Sequence, residues 1–260
     1  MEHVVSADGT PIAVERTGTG PALVFVMGAL CDRTTTASLA ALLTDRFTVY
    51  EYDRRGRGDS ADTAPYAVER EVEDLAAVIT AAGGSAYVYG HSSGAALALE
   101  AAAAGVPIAK LAVFEPPYTG EEVEDGSGTM LSRIDGALAD GDRDLAAHFF
   151  MQGVGTPDPV ITMMKAGPGW GRMRDLAPTL PYDLILSARG DALLPSLASV
   201  TIPALAMAGG ASLPWAVPGA EKIAATVPNG RALRLPGQSH GPADDVVAAA
   251  LGEFFVEGDV

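Results

Sequence analysis

A serine hydroxyl is a weak nucleophile at neutral pH, and it becomes effective when an imidazole takes its proton. The sequence places Ser92 in a setting suited to that chemistry. Gly90-His91-Ser92-Ser93-Gly94 fits the pattern G-x-S-x-G. An apolar run, Ala86 to Tyr89, leads straight into it, and an alanine- and leucine-rich stretch, Ser93 to Ala104, leads straight out. A serine on so sharp a strand-to-helix turn stands exposed at the C-terminal edge of a sheet, and the flanking glycines relieve the crowding around it. The start of the following helix turns free backbone N–H groups toward the same point. Without chemistry, the pentapeptide is simply a turn rich in glycine and serine; the strand before it and the helix after it favour the nucleophile.

The base has four candidates. His3 is terminal, His148 sits in a segment of changed pattern, and the His91 side chain is expected to point elsewhere on the turn. His240 ends Pro236-Gly237-Gln238-Ser239-His240, after the last apolar strand and before the last helix. That loop belongs at the C-terminal edge of a parallel sheet, where catalytic crevices form. The alternative for His240 is a surface loop histidine.

Such groups need a rigid scaffold, and the periodicities supply one. Strands are expected at Pro11 to Arg16, Ala22 to Met27, Phe47 to Tyr52, Ala86 to Tyr89, Leu111 to Phe114, Ala204 to Ala208 and Ala232 to Leu235. Helices are expected at Thr36 to Leu43, Glu69 to Ala82, Ser93 to Ala104, near Ala220 to Val227, and at Asp244 to Phe255. Continuous apolar runs alternating with helical spacing indicate a parallel sheet with crossover helices. From Pro116 to about Ser199 the pattern changes to helical stretches broken by Pro, Gly and Asp, including Leu145 to Met151 and the region Asp183 to Leu197. The acidic run Glu121 to Asp125 reads as a solvated stretch at the start of this insertion.

Taken together the motifs resemble the α/β-hydrolase family, over nearly the whole chain and weakly in the insertion. The resemblance implies an α/β fold with a mostly parallel, eight-stranded, doubly wound sheet and a helical cap. The core would be residues 1–116 and 200–260, and the cap residues 117–199. Serine precedes histidine, as in that family. Val26-Met27-Gly28-Ala29 stands where the family often has His-Gly before its oxyanion residue. Met27 departs from that pattern, but the donor required is a backbone N–H. The implied oxyanion hole is therefore the backbone N–H of Ser93 and of Ala29. Asp53-Arg54-Arg55-Gly56-Arg57-Gly58-Asp59-Ser60 resembles the family's D-x-R-G-x-G-x-S loop, which serves shape and support. Asp32 and Arg33, which follow the oxyanion loop, are expected either to face the pocket or to pair with each other at the surface.

The catalytic acid is where the chain departs from its relatives. Most carry it after the seventh strand, but Ala208-Gly209-Gly210-Ala211-Ser212-Leu213-Pro214 contains no carboxylate. Glu115 is the best replacement. It ends the strand Leu111 to Phe114, which should lie beside the nucleophile's strand at about 5 Å, and certain haloalkane dehalogenases place their acid there. Asp183, Asp191 and Asp244 are the alternatives, as is a purely structural Glu115 at the insertion's hinge.

The implied reaction is hydrolysis of a carboxylic ester, thioester or lactone through an acyl-enzyme, with no metal and no organic cofactor. Serine at the elbow counts against epoxide hydrolases and dehalogenases, which need a carboxylate there. Perhydrolysis, C–C hydrolysis and acyl transfer use the same groups and stay open, as does a scaffold that only binds a small apolar ligand. Met130, Phe149, Phe150, Met151, Met163, Met164 and Trp170 could line an apolar pocket or form the insertion's own core.

Composition bounds the rest. Hydrophobic residues make up 48% and charged residues 19% of the chain, a globular balance. A net charge of −16 argues against nucleic acid as a partner, because phosphates would be repelled. Cys31 is the one cysteine, so neither an internal disulfide nor a cysteine zinc site is expected, and it reads as a small core or pocket residue. The start, Met1-Glu2-His3, lacks the basic and apolar regions of a signal peptide. Ala95 to Ala104 is too short to span a bilayer. The expectation is a cytoplasmic protein acting on a small, apolar substrate, with no membrane partner and the oligomeric state open.

Overall fold

The apolar runs become strands of a single sheet. In the computed structural model, which describes residues 1–118 and 129–256 apart from the side chain of Asp191, eight strands lie in the order β1-β2-β4-β3-β5-β6-β7-β8. They are β1 (Glu2–Val5), β2 (Pro11–Gly18), β3 (Ala22–Val26), β4 (Thr48–Tyr52), β5 (Ala86–His91), β6 (Ile108–Phe114), β7 (Ala204–Gly209) and β8 (Gly230–Leu235). β1 and β2 run antiparallel at one edge, and every pairing from β4 to β8 is parallel. The expected eight-stranded, mostly parallel sheet is therefore present. β1 was not anticipated. Its sequence, EHVV, is short, carries two charged or polar residues in four and is largely exposed, so no buried pattern marks it.

Side chains alternate across a strand, so each strand feeds two cores. Val24, Val26, Val88, Leu111, Val113, Ala204 and Ala206 join one cluster, covered by α2 (Val68–Ala81), α3 (Ser93–Ala103) and α10 (Ala216–Thr226). Leu23, Phe25, Tyr89, Ala112, Phe114, Leu205 and Met207 join the other, covered by α1 (Ala37–Ala41) and α11 (Asp244–Val256). Helices on both faces make the sheet doubly wound. α3 is the most enclosed of these helices; every residue from Ser93 to Ala101 is buried. A helix packed on the sheet with almost no solvent face favours small apolar residues; SGAALALEAAA is mainly alanine, leucine and glycine, and its one charge, Glu100, is paired with Arg189 at 2.8 Å.

Between β6 and β7 the regular elements among the described residues are all helices. They include α4 (Met130–Ala139), α5 (Arg143–Gly153), α6 (Asp158–Lys165), α7 (Trp170–Leu176), α8 (Leu180–Ser187) and α9 (Gly190–Leu197). The stretch Asp183 to Leu197 thus holds two helices, parted by a break around Ala188 and Arg189. The acidic run at 121–125 lies outside the described residues. The insertion has a core of its own, with Ile134, Ala137, Ala146, Ala147, Ile161, Trp170, Ala177 and Leu180 at its centre. Met130, Phe149, Phe150, Met151 and Met164 pack against it, whereas Met163 is 68% exposed. Those side chains are the insertion's own packing first. Among the described residues no helix is long and apolar enough to cross a membrane.

Candidate active site

The loop leaving β5 turns sharply into α3, and Ser92 is its apex. Its φ of 56° and ψ of −127° lie in a region that L side chains rarely occupy, at a cost of about 1–3 kcal/mol. The neighbours over-determine it. The Ser92 N–H donates to the Phe114 carbonyl at 2.9 Å, and the Ser92 carbonyl accepts from Ala95 and Ala96 at 2.9 and 3.2 Å. Two glycines are required by close approach. A Cβ on Gly94 would stand 2.1 Å from the Val26 carbonyl oxygen, and one on Gly90 would stand 2.7 Å from Ala95 Cα. Ser93 is the first residue of α3, so its N–H has no intrahelical acceptor.

The loop after β3 passes directly over this apex. A Cβ on Gly28 would lie 2.8 Å from Ser92 Cβ and 3.4 Å from Ser92 Oγ. Gly28→Ala should therefore displace the loop that carries Ala29. A shift of about 1 Å in a reacting group costs about 100-fold. Steady-state kinetics on this variant should show a fall in kcat of that order with the fold retained by circular dichroism.

Glu115 follows β6. The register pairs Gly90 with Val113 and His91 with Phe114, which sets Ser92 and Glu115 side by side at the strand ends. Glu115 is 1% exposed and adopts φ 46°. Its Oε2 lies 2.6 Å from His240 Nδ1. Its Oε1 accepts from the Gly209 N–H at 2.7 Å and from the Ser212 hydroxyl. Burial works to raise the Glu115 carboxyl, but the hydrogen bonds from His240, Ser212 and Gly209 hold it below the ordinary carboxylate range. The turn after β7, which lacks a carboxylate, thus contributes two donors to one instead. Leu30, Ser92 and Glu115 are the non-glycine residues with positive φ among those described, and all three border this rim.

His240 is half-exposed, with the Trp215 ring 6.5 Å away. The His91 side chain stacks on Phe114, with centroids 5.4 Å apart and planes 7° from parallel. Its ring lies 5.0 Å from that of His240, and its Nε2 lies 2.9 Å from the His240 carbonyl oxygen. A carbonyl only accepts, so Nε2 carries the proton. His91 thereby ties the histidine loop to the residue before Ser92.

Burial, with the nearby His240 second, lowers His91 to about 4 from an ordinary 6.5. The unfolded chain takes that proton near 6.5 and the folded chain only near 4. The stability that a neutral His91 contributes is full above pH 6.5 and is lost as pH falls toward 4. Urea denaturation across that window should show a shallower decline for His91→Gln than for the wild type.

Beneath the elbow lies a buried ionic cluster. Arg54 grips Glu71 through two bonds of 2.6 Å and Asp183 through one of 2.8 Å. Arg57 Nη2 reaches both oxygens of Asp183 at 2.8 Å, and the Ser93 hydroxyl donates to Asp183 at 2.7 Å. Burial opposes the charge on Asp183, but Arg57 and Arg54 hold its carboxyl below the ordinary range. This alternative acid is fully engaged by arginines. Asp244 is partly buried at the first turn of α11, and the Asp191 side chain lies outside the described residues. Removing one partner from a buried cluster strands the others, at about 3–5 kcal/mol. Asp183→Asn should lose stability of that order in chemical denaturation.

Asp32 and Arg33 do not pair with each other. Arg33 binds Asp53 and also Asp59, the latter at 2.7 Å, while Asp32 caps Thr34 and binds Arg172 of α7. Adjacent side chains diverge on an extended backbone, and each found a partner on its own side. Cys31 is partly buried, and burial pushes its thiol up, which disfavours a thiolate.

Residues 18–256 match the sequence profile described as the alpha/beta hydrolase family. An alpha/beta hydrolase of Sphaerobacter thermophilus is 49% identical and superposes with a TM-score of 0.89, covering 98% of this chain and 100% of that one. The 2-(acetamidomethylene)succinate hydrolase of Mesorhizobium japonicum is 28% identical over 240 residues, 87% of this chain and 84% of that protein. The N-formylmaleamate deformylase of Pseudomonas putida is 36% identical over 107 residues, so the match spans 40% of each protein.

Proposed function

This chain belongs to the α/β-hydrolase family and is a hydrolase; from that premise we propose that it cleaves carboxylic esters, thioesters or lactones through an acyl-enzyme on Ser92. The observation that carries the reading is the 2.6 Å contact between His240 Nδ1 and the buried Glu115 carboxylate, on the rim that Ser92 occupies. With Nδ1–H given to Glu115, Nε2 is left unprotonated and free to accept the Ser92 proton. As Ser92 Oγ attacks the acyl carbon, His240 becomes an imidazolium that Glu115 stabilises. The proton then passes to the leaving oxygen or sulfur. Water, deprotonated by the same imidazole, attacks the acyl-enzyme, releases the acid and restores Ser92.

The negative oxygen formed in each step is held by the N–H groups of Ser93 and Ala29, each such donor worth about 3 kcal/mol of barrier. The helical insertion is the cap. Ala29 and Leu30 pack against its core cluster, which supports an acyl group held between the oxyanion loop and an apolar lid. The substrate we favour is accordingly small and apolar on its acyl side.

The test is a fluorophosphonate probe on the purified protein, with the modified peptide read by mass spectrometry. The expected result is one phosphonyl group on Ser92. A folded protein that stays unlabelled would replace this reading with a binding scaffold. A panel of short and long p-nitrophenyl esters with lactones and thioesters then orders the substrate classes. One relative's name specifies an N-formyl group, so an N-formyl amide belongs in that panel.

A further inference from the structure

Building on the serine-hydrolase reading, we propose that Arg57, anchored by Asp183, is the positioning residue of the oxyanion hole. It acts from behind, on the far end of the peptide unit that carries a donor. Arg57 Nη1 donates to the Gly28 carbonyl oxygen at 2.6 Å. That carbonyl and the Ala29 N–H belong to one planar, trans peptide group, so they point in opposite directions. Fixing the carbonyl fixes the N–H. The constraint matters because Gly28 has no side chain to restrict its backbone, and because the loop lies against Ser92. A bond from a cation also polarises the peptide, which strengthens the N–H as a donor.

The same carboxylate reaches the second donor. Asp183 accepts from Arg57 and, through Oδ1, from the hydroxyl of Ser93, whose own N–H is the other arm of the hole. Arg54, also on Asp183, reaches the Met27 carbonyl at 3.3 Å. Arg57 and Asp183 are buried to within 1–2% exposure. Packed apolar side chains would hold a fold at least as well as a buried ionic cluster. They would not grip one carbonyl and one hydroxyl at fixed points. Asp183 belongs to α8 of the insertion, whereas Gly28 and Ser93 belong to the core, so the insertion takes part in setting the donors' aim.

The test uses the full chain and its best ester from the panel. Arg57→Lys keeps the buried charge but loses the planar fork that serves two partners at once. The expected result is a fall of about 10- to 100-fold in kcat per phosphonylatable Ser92, with KM little changed. Affinity for an alkyl boronic acid, which mimics the tetrahedral state, should fall by the same factor as kcat/KM. A purely structural role would lower the titratable fraction or the Tm without shifting the boronate against the substrate. Should Arg57→Lys not fold, Ser93→Ala frees the second donor and should show the same parallel loss, at about three- to tenfold. Wild-type kcat per site with unchanged boronate affinity in the variant that folds overturns the proposal. A wild-type protein that fluorophosphonate does not label overturns the serine reading itself, and this proposal with it, and is a separate, visible failure.

Discussion

Ser92→Ala is expected to leave a folded protein without hydrolytic activity. The expected loss in kcat is about 10⁶-fold, because in the proposed mechanism the nucleophile and its base act as a unit, and the other hydroxyl at the elbow, that of Ser93, is given to Asp183. The comparison with Ser92→Gly makes the expectation more specific. Both variants lose the Ser92 hydroxyl, but only glycine is at ease with φ 56° and ψ −127°. Ser92→Gly should therefore melt a few degrees above Ser92→Ala, although glycine normally costs stability. Calorimetry on the two proteins, with an ester assay on each, checks both halves. An alanine variant that retains more than a thousandth of wild-type turnover would move the chemistry away from Ser92.

Glu115→Gln has the second largest expected effect, about 10³- to 10⁴-fold in kcat. The substitution keeps shape and volume. One side of the amide can still accept from Gly209 and Ser212, so the fold should be little disturbed. The other side then presents an N–H to His240 Nδ1, where the carboxylate now lies at 2.6 Å. That favours the tautomer with the proton on Nε2, which cannot accept one from Ser92, and it removes the charge that stabilises the imidazolium. Fluorophosphonate labelling should slow in parallel with turnover, since both need an activated serine. Turnover within tenfold of wild type would leave Glu115 as a hinge residue. The Ser212 hydroxyl is a lesser support of the same carboxylate, and its loss should cost far less than the loss of the charge.

The boundary between what the linear chain disclosed and what folding decided follows the range of the interactions. Strand and helix periodicities, the G-x-S-x-G turn and the change of pattern after Pro116 are properties of residues within a few positions of one another. Local sterics and side-chain direction determine them, so they were legible. Glu115 was legible in part, because the end of one buried strand must lie beside the end of its neighbour. β1 was not, since an edge strand of mixed character buries too little to leave a pattern.

The remaining contacts join residues far apart in the chain. Glu115 and His240 are separated by 125 positions, Ser93 and Asp183 by 90, and Arg57 and Asp183 by 126. Which carboxylate meets which base depends on the paths of loops with no period to read. His91, Asp32 and Arg33 show the same limit at single residues, where local sequence offers several partners of equal chemistry. Residue types thus determined the chemistry available to this protein; only the closing of the sheet and the docking of α8 decided which charges face each other, because burial removes every unpaired option by several kcal/mol.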